Sequence, residues 1–186
     1  MERQWHGFKF ENYVKEKYGI NLSTNYTDKW DGEWNNYPVS IKHIKKGGAV
    51  DLGDVFRQAS VSKDFFMFVD FYETKTVSES DELYILFIPA KSWNSYFMPL
   101  DKFESKFKDV LKSVTNDKED DAKWTALRTE CVNYWKQNTT GHITLNGKRD
   151  HKSQKRWQCS INKTNFYEEF IPKYRITEEE FYAKRN

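Results

Sequence analysis

An acid and a lysine on neighbouring segments of the chain are the residues with the clearest chemical meaning. Asp31 ends one short strand-like run, and Lys42 lies in a second run, residues 39–45, which follows a turn-like Asn-Asn-Tyr-Pro segment. Because alternate residues of a strand face the same side, Ser40 and Lys42 should share one face while Ile41 lies on the other. A lysine beside a carboxylate across a hairpin is what metal-dependent phosphodiester cleavage needs. The carboxylate holds a divalent ion, and the lysine stabilises developing charge or orients a water.

This segment resembles the core of the PD-(D/E)xK nucleases, a family that includes many restriction endonucleases. The family pattern is an Asp, a variable gap and an acid–any–Lys triplet on the next strand. In this chain Asp31 is followed by Ser-Ile-Lys at residues 40–42, so serine stands where the second acid usually lies. One carboxylate alone is a poor magnesium site. The resemblance implies a Mg2+ cofactor, with Mn2+ as a substitute, and a further acid recruited from a downstream helix.

Two acids in a predicted short helix over residues 51–60 are candidates for the recruited ligand. They are Asp51 and Asp54, and we favour Asp54 because one helical turn separates it from Arg57 and Gln58, so that the three can share a face. The resemblance implies that Arg57 and Gln58 orient the metal ligands or contact the DNA backbone.

A further acid comes from the predicted first helix, over about residues 3–18. Related nucleases and junction resolvases often carry a Glu on this helix near the metal, and the resemblance gives that position to Glu11. At helical spacing Glu11 falls in line with Phe8, Val14 and Tyr18, and so borders the apolar, inward face. A carboxylate is costly to bury there without a cation, and we expect Glu11 to be a metal ligand or the partner of one.

The order of the predicted elements agrees with the α-β-β-α-β succession expected of the family core. The first half reads as a helix, a hairpin, a short helix and two apolar strands, at residues 3–18, 27–45, 51–60, 65–72 and 82–89. Near-continuous apolar runs suit central strands that are covered on both faces. We therefore predict an α/β (α+β) fold in one domain: a central mixed β-sheet flanked by helices in residues 1–92, and a helical and β-hairpin elaboration in residues 93–186.

The second half is predicted to contain two amphipathic helices, a hairpin and a last short helix. Apolar residues recur at three- and four-residue spacing over residues 100–114 and 124–135. The acids of residues 116–121 lie where the amino end of a helix favours them. Asn-Gly at 146–147 is a strong turn signal, and the segment 177–180 resembles a capping box.

A basic segment lies between the two strands of the predicted hairpin. Clustered Lys and Arg bind phosphates through counterion release, and the nearby Asn146 and Gln158 have side chains able to read base edges. We predict that the segment enters a groove of double-stranded DNA. The residues predicted to contact DNA are Lys148, Arg149, Lys152, Gln154, Lys155 and Arg156. A smaller basic group, Lys45 and Lys46, adjoins Lys42 and is predicted to hold phosphates of the scissile strand.

Composition sets broad limits on the protein. The chain has 186 residues, a formal net charge of +2 and 17% aromatic residues, so aromatic side chains must build much of the core. The two cysteines, Cys131 and Cys159, lack the spacing of a zinc site, and we expect buried reduced thiols. No apolar run approaches the length of a membrane span and no signal peptide precedes the charged start. We therefore expect a cytoplasmic protein without a membrane partner.

Together these features predict a metal-dependent endodeoxyribonuclease that cleaves double-stranded DNA at a specific sequence, similar to a type II restriction endonuclease. Catalysis is assigned to Asp31, Lys42, Glu11 and Asp54, with the three acids as metal ligands, and cleavage of a palindromic site implies a homodimer. The alternatives are a structure-selective nuclease, such as a Holliday-junction resolvase, and a non-catalytic DNA-binding module on a decayed nuclease core. Ser40 is expected to be a small neighbour and not a nucleophile, because no His–Asp pair is apparent to activate it.

Overall fold

A computed structural model describes residues 2–22, 30–73, 82–150 and 154–184 of the chain. The chain divides into two units. The first unit comprises residues 1–50, 62–91 and 163–186, and the second unit comprises residues 51–61 and 92–162. The carboxyl-terminal stretch therefore belongs to the same unit as the amino-terminal helix.

Strands and helices follow one another along the chain in short runs of each type. The strands are β1 (Asn21–Leu22), β2 (Gly32–Trp34), β3 (Tyr37–Lys45), β4 (Val50–Asp54), β5 (Phe65–Tyr72), β6 (Leu83–Ile88), β7 (Ile143–Arg149), β8 (Lys155–Ile161) and β9 (Arg175–Ile176). The helices are α1 (Glu2–Tyr18), α2 (Val55–Ala59), α3 (Ala90–Asn94), α4 (Leu100–Ser113), α5 (Asp121–Asn138), α6 (Lys163–Asn165), α7 (Ile171–Tyr174) and α8 (Glu178–Ala183). A 3-10 turn, Lys118–Asp120, precedes α5, and a π-helical segment, Phe166–Phe170, joins α6 to α7.

Strands of the first unit form a six-stranded sheet in the order β1-β2-β3-β5-β6-β9. The sheet is mixed, since β3 runs parallel to β5 while the other neighbouring pairs are antiparallel. All residues of β5 from Phe65 to Phe71 are buried, as expected of a central strand that is covered on both faces. The predicted mixed α/β fold, with a central sheet flanked by helices, is confirmed.

Helix α1 packs its apolar stripe against one face of this sheet. Phe10, Val14 and Tyr18 follow one another at four-residue spacing and are buried in one cluster with Ile41 of β3. The assignment of Phe8 to this stripe is wrong, because its side chain is 42% exposed. Phe8 lies two residues from Phe10, about 200° around the helix, and therefore on the opposite side.

The second unit is built on a three-stranded sheet, ordered β4-β8-β7, and on the helices α4 and α5, which occupy the two amphipathic segments predicted by periodicity. Trp157 of β8 is fully buried at the centre of this unit. Its indole N–H donates to the carbonyl of Phe107 at 2.9 Å, and its ring packs against the rings of Phe107 and Trp124. An aromatic core of this kind agrees with the aromatic-rich composition.

The prediction of a helix over residues 51–60 is wrong in its first part. Residues up to Asp54 belong to β4, in which Asp51 is exposed and Leu52 is buried, and helix α2 begins only at Val55. This alternation of an exposed and a buried residue is the two-residue period of a strand.

The prediction of a turn at Asn146-Gly147 is also wrong, because both residues lie inside β7. Gly147 is opposite Trp157 in the antiparallel pair β7–β8. A Cβ atom at residue 147 would lie 2.7 Å from the Trp157 ring and 2.9 Å from that of Trp124. The glycine therefore permits close packing of the strand on two indole rings, and it does not mark a turn.

Helix α8 begins with the predicted capping box. The Glu180 N–H donates to Thr177 Oγ1 at 3.1 Å, and the Thr177 N–H donates to Glu180 Oε2 at 2.8 Å. The acids of 116–121 do lie at the amino end of α5, but Asp120 makes no side-chain capping bond to that helix. Asp120 instead accepts the Thr115 N–H at 2.5 Å, and this bond lowers the pKa of the Asp120 carboxyl.

The cysteines Cys131 and Cys159 are buried free thiols, as predicted. Burial raises the pKa of the Cys131 thiol to about 11, so the thiol is protonated at neutral pH. None of the described helices is long and apolar enough to cross a membrane.

Candidate active site

The carboxylate of Asp31 is fixed against strand β3. The prediction that Asp31 ends a strand is wrong, because Asp31 immediately precedes β2. Its N–H donates to the Val39 carbonyl at 2.9 Å, which continues the β2–β3 ladder by one residue. Its Oδ2 atom accepts the Ile41 N–H at 2.6 Å and the Ser40 hydroxyl at 3.3 Å. Two donors from the same strand therefore set the position of this oxygen.

Lys42 lies beside this carboxylate, as the sequence predicts. Its Nζ atom is 3.9 Å from Asp31 Oδ2, and the two side chains are 25% and 30% exposed. A half-exposed pair at this distance contributes little to stability. What the arrangement provides is a carboxylate and an ammonium group at one solvent-accessible point of the sheet.

Ser40 is a fixed neighbour in this site. It is buried, at 8% exposure, and its hydroxyl donates to Asp31. A hydroxyl hydrogen-bonded to a carboxylate is held in place, but no imidazole lies between them to relay its proton. We name the group of Asp31, Ser40 and Lys42 the β2–β3 site.

Glu11 has a different neighbour from the one that the family resemblance implies. Its carboxylate accepts a hydrogen bond from Lys15, one turn along α1, and this lysine is buried at 8% exposure. The cation required beside a carboxylate on this face is therefore supplied by the helix itself. The i, i+4 spacing of Glu11 and Lys15 is visible in the sequence and is the signal that predicts this pair.

Asp54 belongs to the second unit and caps helix α2. Its Oδ1 accepts the Arg57 N–H at 3.0 Å, so Asp54 precedes the helix and does not share a helical face with Arg57 and Gln58, a correction to the sequence-based placement. The Gln58 side-chain amide donates to the Leu52 carbonyl at 2.7 Å. Both bonds give these side chains structural roles within the second unit.

A His–Asp pair, which the sequence analysis missed, lies on the face of the sheet opposite to Ser40. His43 of β3 is the register partner of Asp70 on β5, and its Nδ1–H donates to Asp70 Oδ2 at 2.7 Å. The imidazole is stacked between the rings of Phe10 and Tyr72, with centroids 4.5 and 4.2 Å away. The signal in the sequence is a polar residue after Val39 and Ile41 on the inward side of β3, and a single acid in the otherwise apolar β5.

Asp70 is fully buried, at 0% exposure. Its Oδ1 atom has no hydrogen-bond partner within the described residues. His43 follows Lys42 directly in β3, so the alternation of the strand separates this pair from the β2–β3 site. The His43–Asp70 pair is therefore part of the packing between α1 and the sheet.

Two of the predicted DNA contacts have internal partners in the second unit. The Arg149 side chain is 2% exposed, and its guanidinium donates to Asp121 and to the carbonyls of Thr115 and Asp117. Lys155, opposite Arg149 in the β7–β8 pair, donates to the Val114 carbonyl at 2.6 Å. These two cations hold the segment between α4 and α5 on the hairpin.

Other basic residues of the hairpin lie at its surface. Lys148 and Arg156 face each other across β7 and β8, and both are exposed. Lys148 Nζ is 3.9 Å from Asp51 Oδ2, whereas Arg156 has no ion-pair partner within residues 2–22, 30–73, 82–150 and 154–184. Like charges directly opposite each other on a sheet repel, and a bound anion relieves that repulsion.

The remaining predicted contacts divide between the surface and the interior. Gln154 is exposed, and Lys152 lies outside the described residues. Gln158, which the sequence analysis considered for reading bases, is buried at 5% exposure and is not available to a groove. Near the β2–β3 site, Lys45 is exposed and Lys46 forms an ion pair with Glu73, which lowers the pKa of the Glu73 carboxyl.

The donor set of the β2–β3 site can be tested against the Mg2+ ion that the resemblance implies. Asp31 Oδ2 already accepts two hydrogen bonds from β3, while Asp31 Oδ1 accepts no hydrogen bond from the described residues. Mg2+ is commonly held by one or two carboxylates together with waters and substrate phosphate, so Asp31 Oδ1 supplies only the minimum protein ligand for such an ion. In the described part of the chain, no group of three or more His, Cys, Asp or Glu side chains is placed to hold a metal.

Comparisons with known proteins do not add to this description of the site. The resemblance to the nuclease family rests on the residues quoted from the sequence. No protein-family model matches the chain, and no curated protein or solved structure matches it either.

Proposed function

We propose that the protein is a metal-dependent endodeoxyribonuclease that cleaves double-stranded DNA at a specific sequence, in the manner of a type II restriction endonuclease. The observation that carries the proposal is the placement of Lys42 Nζ 3.9 Å from the carboxylate of Asp31 on adjacent strands. An acid and a lysine held together at an accessible sheet position suit phosphodiester cleavage better than a purely structural role, since the pair adds little stability.

Each residue of the β2–β3 site has its own role in the proposed cleavage. The Ile41 N–H and the Ser40 hydroxyl hold Asp31 Oδ2, which leaves Oδ1 to bind a metal. Asp31 would hold Mg2+ or Mn2+, which when bound would supply Lewis-acid stabilisation and activate a water for attack. Lys42 neutralises the charge that develops on the phosphate, or orients the attacking water. A protein that cuts both strands of a palindromic site acts as a two-fold homodimer.

The proposal assigns DNA contact in the second unit to the exposed cations of the β7–β8 hairpin. Lys148 and Arg156 are the central pair of this proposed interface. Gln154, which directly precedes β8, is a further exposed residue of the hairpin. Arg149 and Lys155 contribute indirectly, because they hold the hairpin against the segment between α4 and α5. Lys45 is exposed at the end of β3, but it follows His43 by two residues and so lies on the α1 side of the sheet; the proposal gives it no contact at the β2–β3 site.

One observation favours a second candidate, a DNA-binding module without catalytic activity. Serine occupies the position of the second acid, and the described residues contain no three-residue acidic or histidine cluster for a metal. A module of this kind would bind duplex DNA through the hairpin and would leave it intact in Mg2+. The two candidates therefore differ in cleavage and agree in binding.

Incubation of unmodified plasmid and phage DNA with the protein should give discrete fragments in Mg2+ and none in EDTA. Asp31→Asn keeps the size and an acceptor oxygen for Ile41 but removes the charge that binds a metal, so we expect it to produce no fragments. Gel electrophoresis of timed samples measures both results. A ladder without discrete bands, or selective cleavage of four-way junctions, would point to the structure-selective nuclease.

The Asp31→Asn result needs a binding control, because the proposal requires a variant that holds DNA without cutting it. Fluorescence anisotropy with a labelled duplex should give similar Kd values for the wild type and Asp31→Asn in Ca2+. Intact binding without cleavage by the wild type in Mg2+ and Mn2+ would select the non-catalytic module. Absence of both binding and cleavage would remove the nucleic-acid proposal.

Replacing Arg156 with glutamine should weaken the salt dependence of DNA binding. Each phosphate contact contributes a slope of about −0.9 to log K against log salt, so we expect Arg156→Gln to reduce the slope by about one and the double variant with Lys148→Gln by about two. Lys136→Gln, an exposed change at the end of α5, is the matched control. Equal slopes for the control and the hairpin variants would exclude this face from the DNA interface.

A further inference from the structure

The β7–β8 hairpin has two different faces. Leu145, Gly147 and Trp157 lie on the face that packs against the core of the second unit. Because side chains alternate along a strand, the residues between them lie on the other face. That face carries three facing pairs of residues, which are Thr144 with Ser160, Asn146 with Gln158, and Lys148 with Arg156. All six side chains are polar, and we name them the polar face of the hairpin.

The residues of the polar face differ in exposure. Asn146, Lys148 and Arg156 are exposed, whereas Gln158 and Ser160 are buried, at 5% and 9% exposure. The accessible part of this face is therefore one amide side chain beside two cations. Successive pairs on one face of a sheet lie about 7 Å apart along the strands, so all three side chains can contact one ligand.

The side-chain amide of Asn146 is held in place on its strand. Its Nδ2–H donates to Ser160 Oγ at 3.1 Å, a diagonal contact between β7 and β8. This bond uses one of the two amide hydrogens. Within the described residues, the Asn146 side chain forms no other hydrogen bond. The amide thus retains one donor hydrogen and the Oδ1 acceptor for a ligand.

A donor and an acceptor on one amide match the major-groove edge of adenine. Adenine presents the N7 acceptor beside the N6 amino donor, and an asparagine can bond both at once. Guanine presents two acceptors at the same edge, cytosine presents a donor, and thymine presents an acceptor beside a methyl group. An asparagine side chain at this edge therefore distinguishes adenine from the other three bases.

The two cations of the polar face suit the backbone of the same duplex. Lys148 and Arg156 lie one register pair away from Asn146, and cations that bind phosphates fix the position of a protein on DNA. Lys148 Nζ is 3.9 Å from Asp51 Oδ2, and the two side chains are 53% and 61% exposed. An exposed pair of this kind is weak, so Lys148 can exchange the carboxylate for a phosphate.

We propose that Asn146 determines sequence specificity by binding an adenine in the major groove of duplex DNA, while Lys148 and Arg156 bind phosphates beside it. The inference rests on the proposed function, because it concerns how the proposed nuclease selects its site. Asn146 is favoured over Gln158, which is buried, and over Gln154, whose side chain no hydrogen bond of the described residues holds. A side chain that is ordered before binding loses less entropy in the complex.

The test is a selection of bound duplexes from a library with a randomised central segment, with the full chain in Ca2+, followed by sequencing. We expect the wild type to enrich a motif that contains adenine. In Asn146→Ala, the preference for adenine at one position of each half-site should fall from about tenfold or more to none, and the other positions should be unchanged. Lys148→Gln should lower the affinity for all sequences and leave the motif as it is. Asn133→Ala, an exposed change in α5, is the matched control.

A modified base tests the contact itself. In 7-deazaadenine a C–H group replaces N7, so this base at the identified position should weaken binding by the wild type about threefold to tenfold. The same base should not change the Kd of Asn146→Ala, and a wild-type Kd of this variant for non-specific duplex shows that it is folded.

Two kinds of failure are distinguishable. A motif of Asn146→Ala identical to that of the wild type, or a preference lost at a base other than adenine, would overturn the inference and leave the proposed function standing. If the wild type enriches no motif, the sequence-specific function is removed and the inference with it.

Discussion

Replacing Lys42 with alanine should lower the rate of DNA cleavage by about 10²–10³-fold, the loss typical of removing one group that stabilises charge in a transition state. The Lys42 ammonium lies beside the Asp31 carboxylate at an accessible position and has no other ion-pair partner in the described residues. Single-turnover cleavage of a duplex substrate measures the rate, and the loss should fall on the chemical step while the Kd for DNA changes little.

The same change should leave the fold almost untouched, which makes the kinetic result easy to interpret. A half-exposed ion pair contributes about 0–1 kcal/mol, so the midpoint of thermal unfolding should move little. Lys63→Ala, an exposed change in the loop before β5, is the matched control for loss of one positive charge. Cleavage by Lys42→Ala at the rate of Lys63→Ala would place the active site elsewhere in the chain.

The arrangement of β3 explains how one strand serves two purposes. Ser40 and Lys42 face the side on which Asp31 is bound, whereas Ile41 and His43 face α1. The backbone also takes part, since the Ile41 N–H fixes the Asp31 carboxylate. The proposed chemistry and the packing of the helix therefore depend on alternate residues of the same segment.

Much of this geometry follows from local sequence patterns. The apolar runs predicted β5 and β6, the three- and four-residue spacing predicted α1, α4 and α5, and the hairpin with its acid and lysine predicted the contact of Asp31 with Lys42. Each of these depends on residues that are close in sequence, so periodicity and turn signals are sufficient to predict them.

The predictions that failed depend on residues far apart in the chain. A glycine is needed at residue 147 because a side chain there would clash with the ring of Trp157, and not because of a turn. The guanidinium of Arg149 is buried by hydrogen bonds to groups that lie 28 to 34 residues away in the sequence. His43 and Asp70 meet because β3 and β5 are parallel neighbours, 27 residues apart. A single sequence contains no local signal for such pairings, and a polar residue in an apolar strand indicates only that some partner is needed.

The His43–Asp70 pair gives the second large expected effect, on stability. His43→Leu should lower the free energy of unfolding by about 3–5 kcal/mol, since it removes the donor to a fully buried carboxylate whose other oxygen has no partner in the described residues. Leucine fills much of the space between Phe10 and Tyr72, so the loss reflects mainly the buried Asp70 carboxyl group that is left without its donor. Urea unfolding monitored by tryptophan fluorescence measures the change.

The double variant His43→Leu/Asp70→Leu separates charge from packing. Replacement of both partners of a buried hydrogen-bonded pair by apolar residues of similar shape is often nearly neutral or stabilising, so we expect the second change to recover most of the loss caused by the first. Asp70→Leu alone leaves one unsatisfied imidazole N–H and should cost less than His43→Leu, about 1–3 kcal/mol. A double variant no more stable than His43→Leu would instead mean that the stacked imidazole ring, and not its bond to Asp70, stabilises the contact of α1 with the sheet.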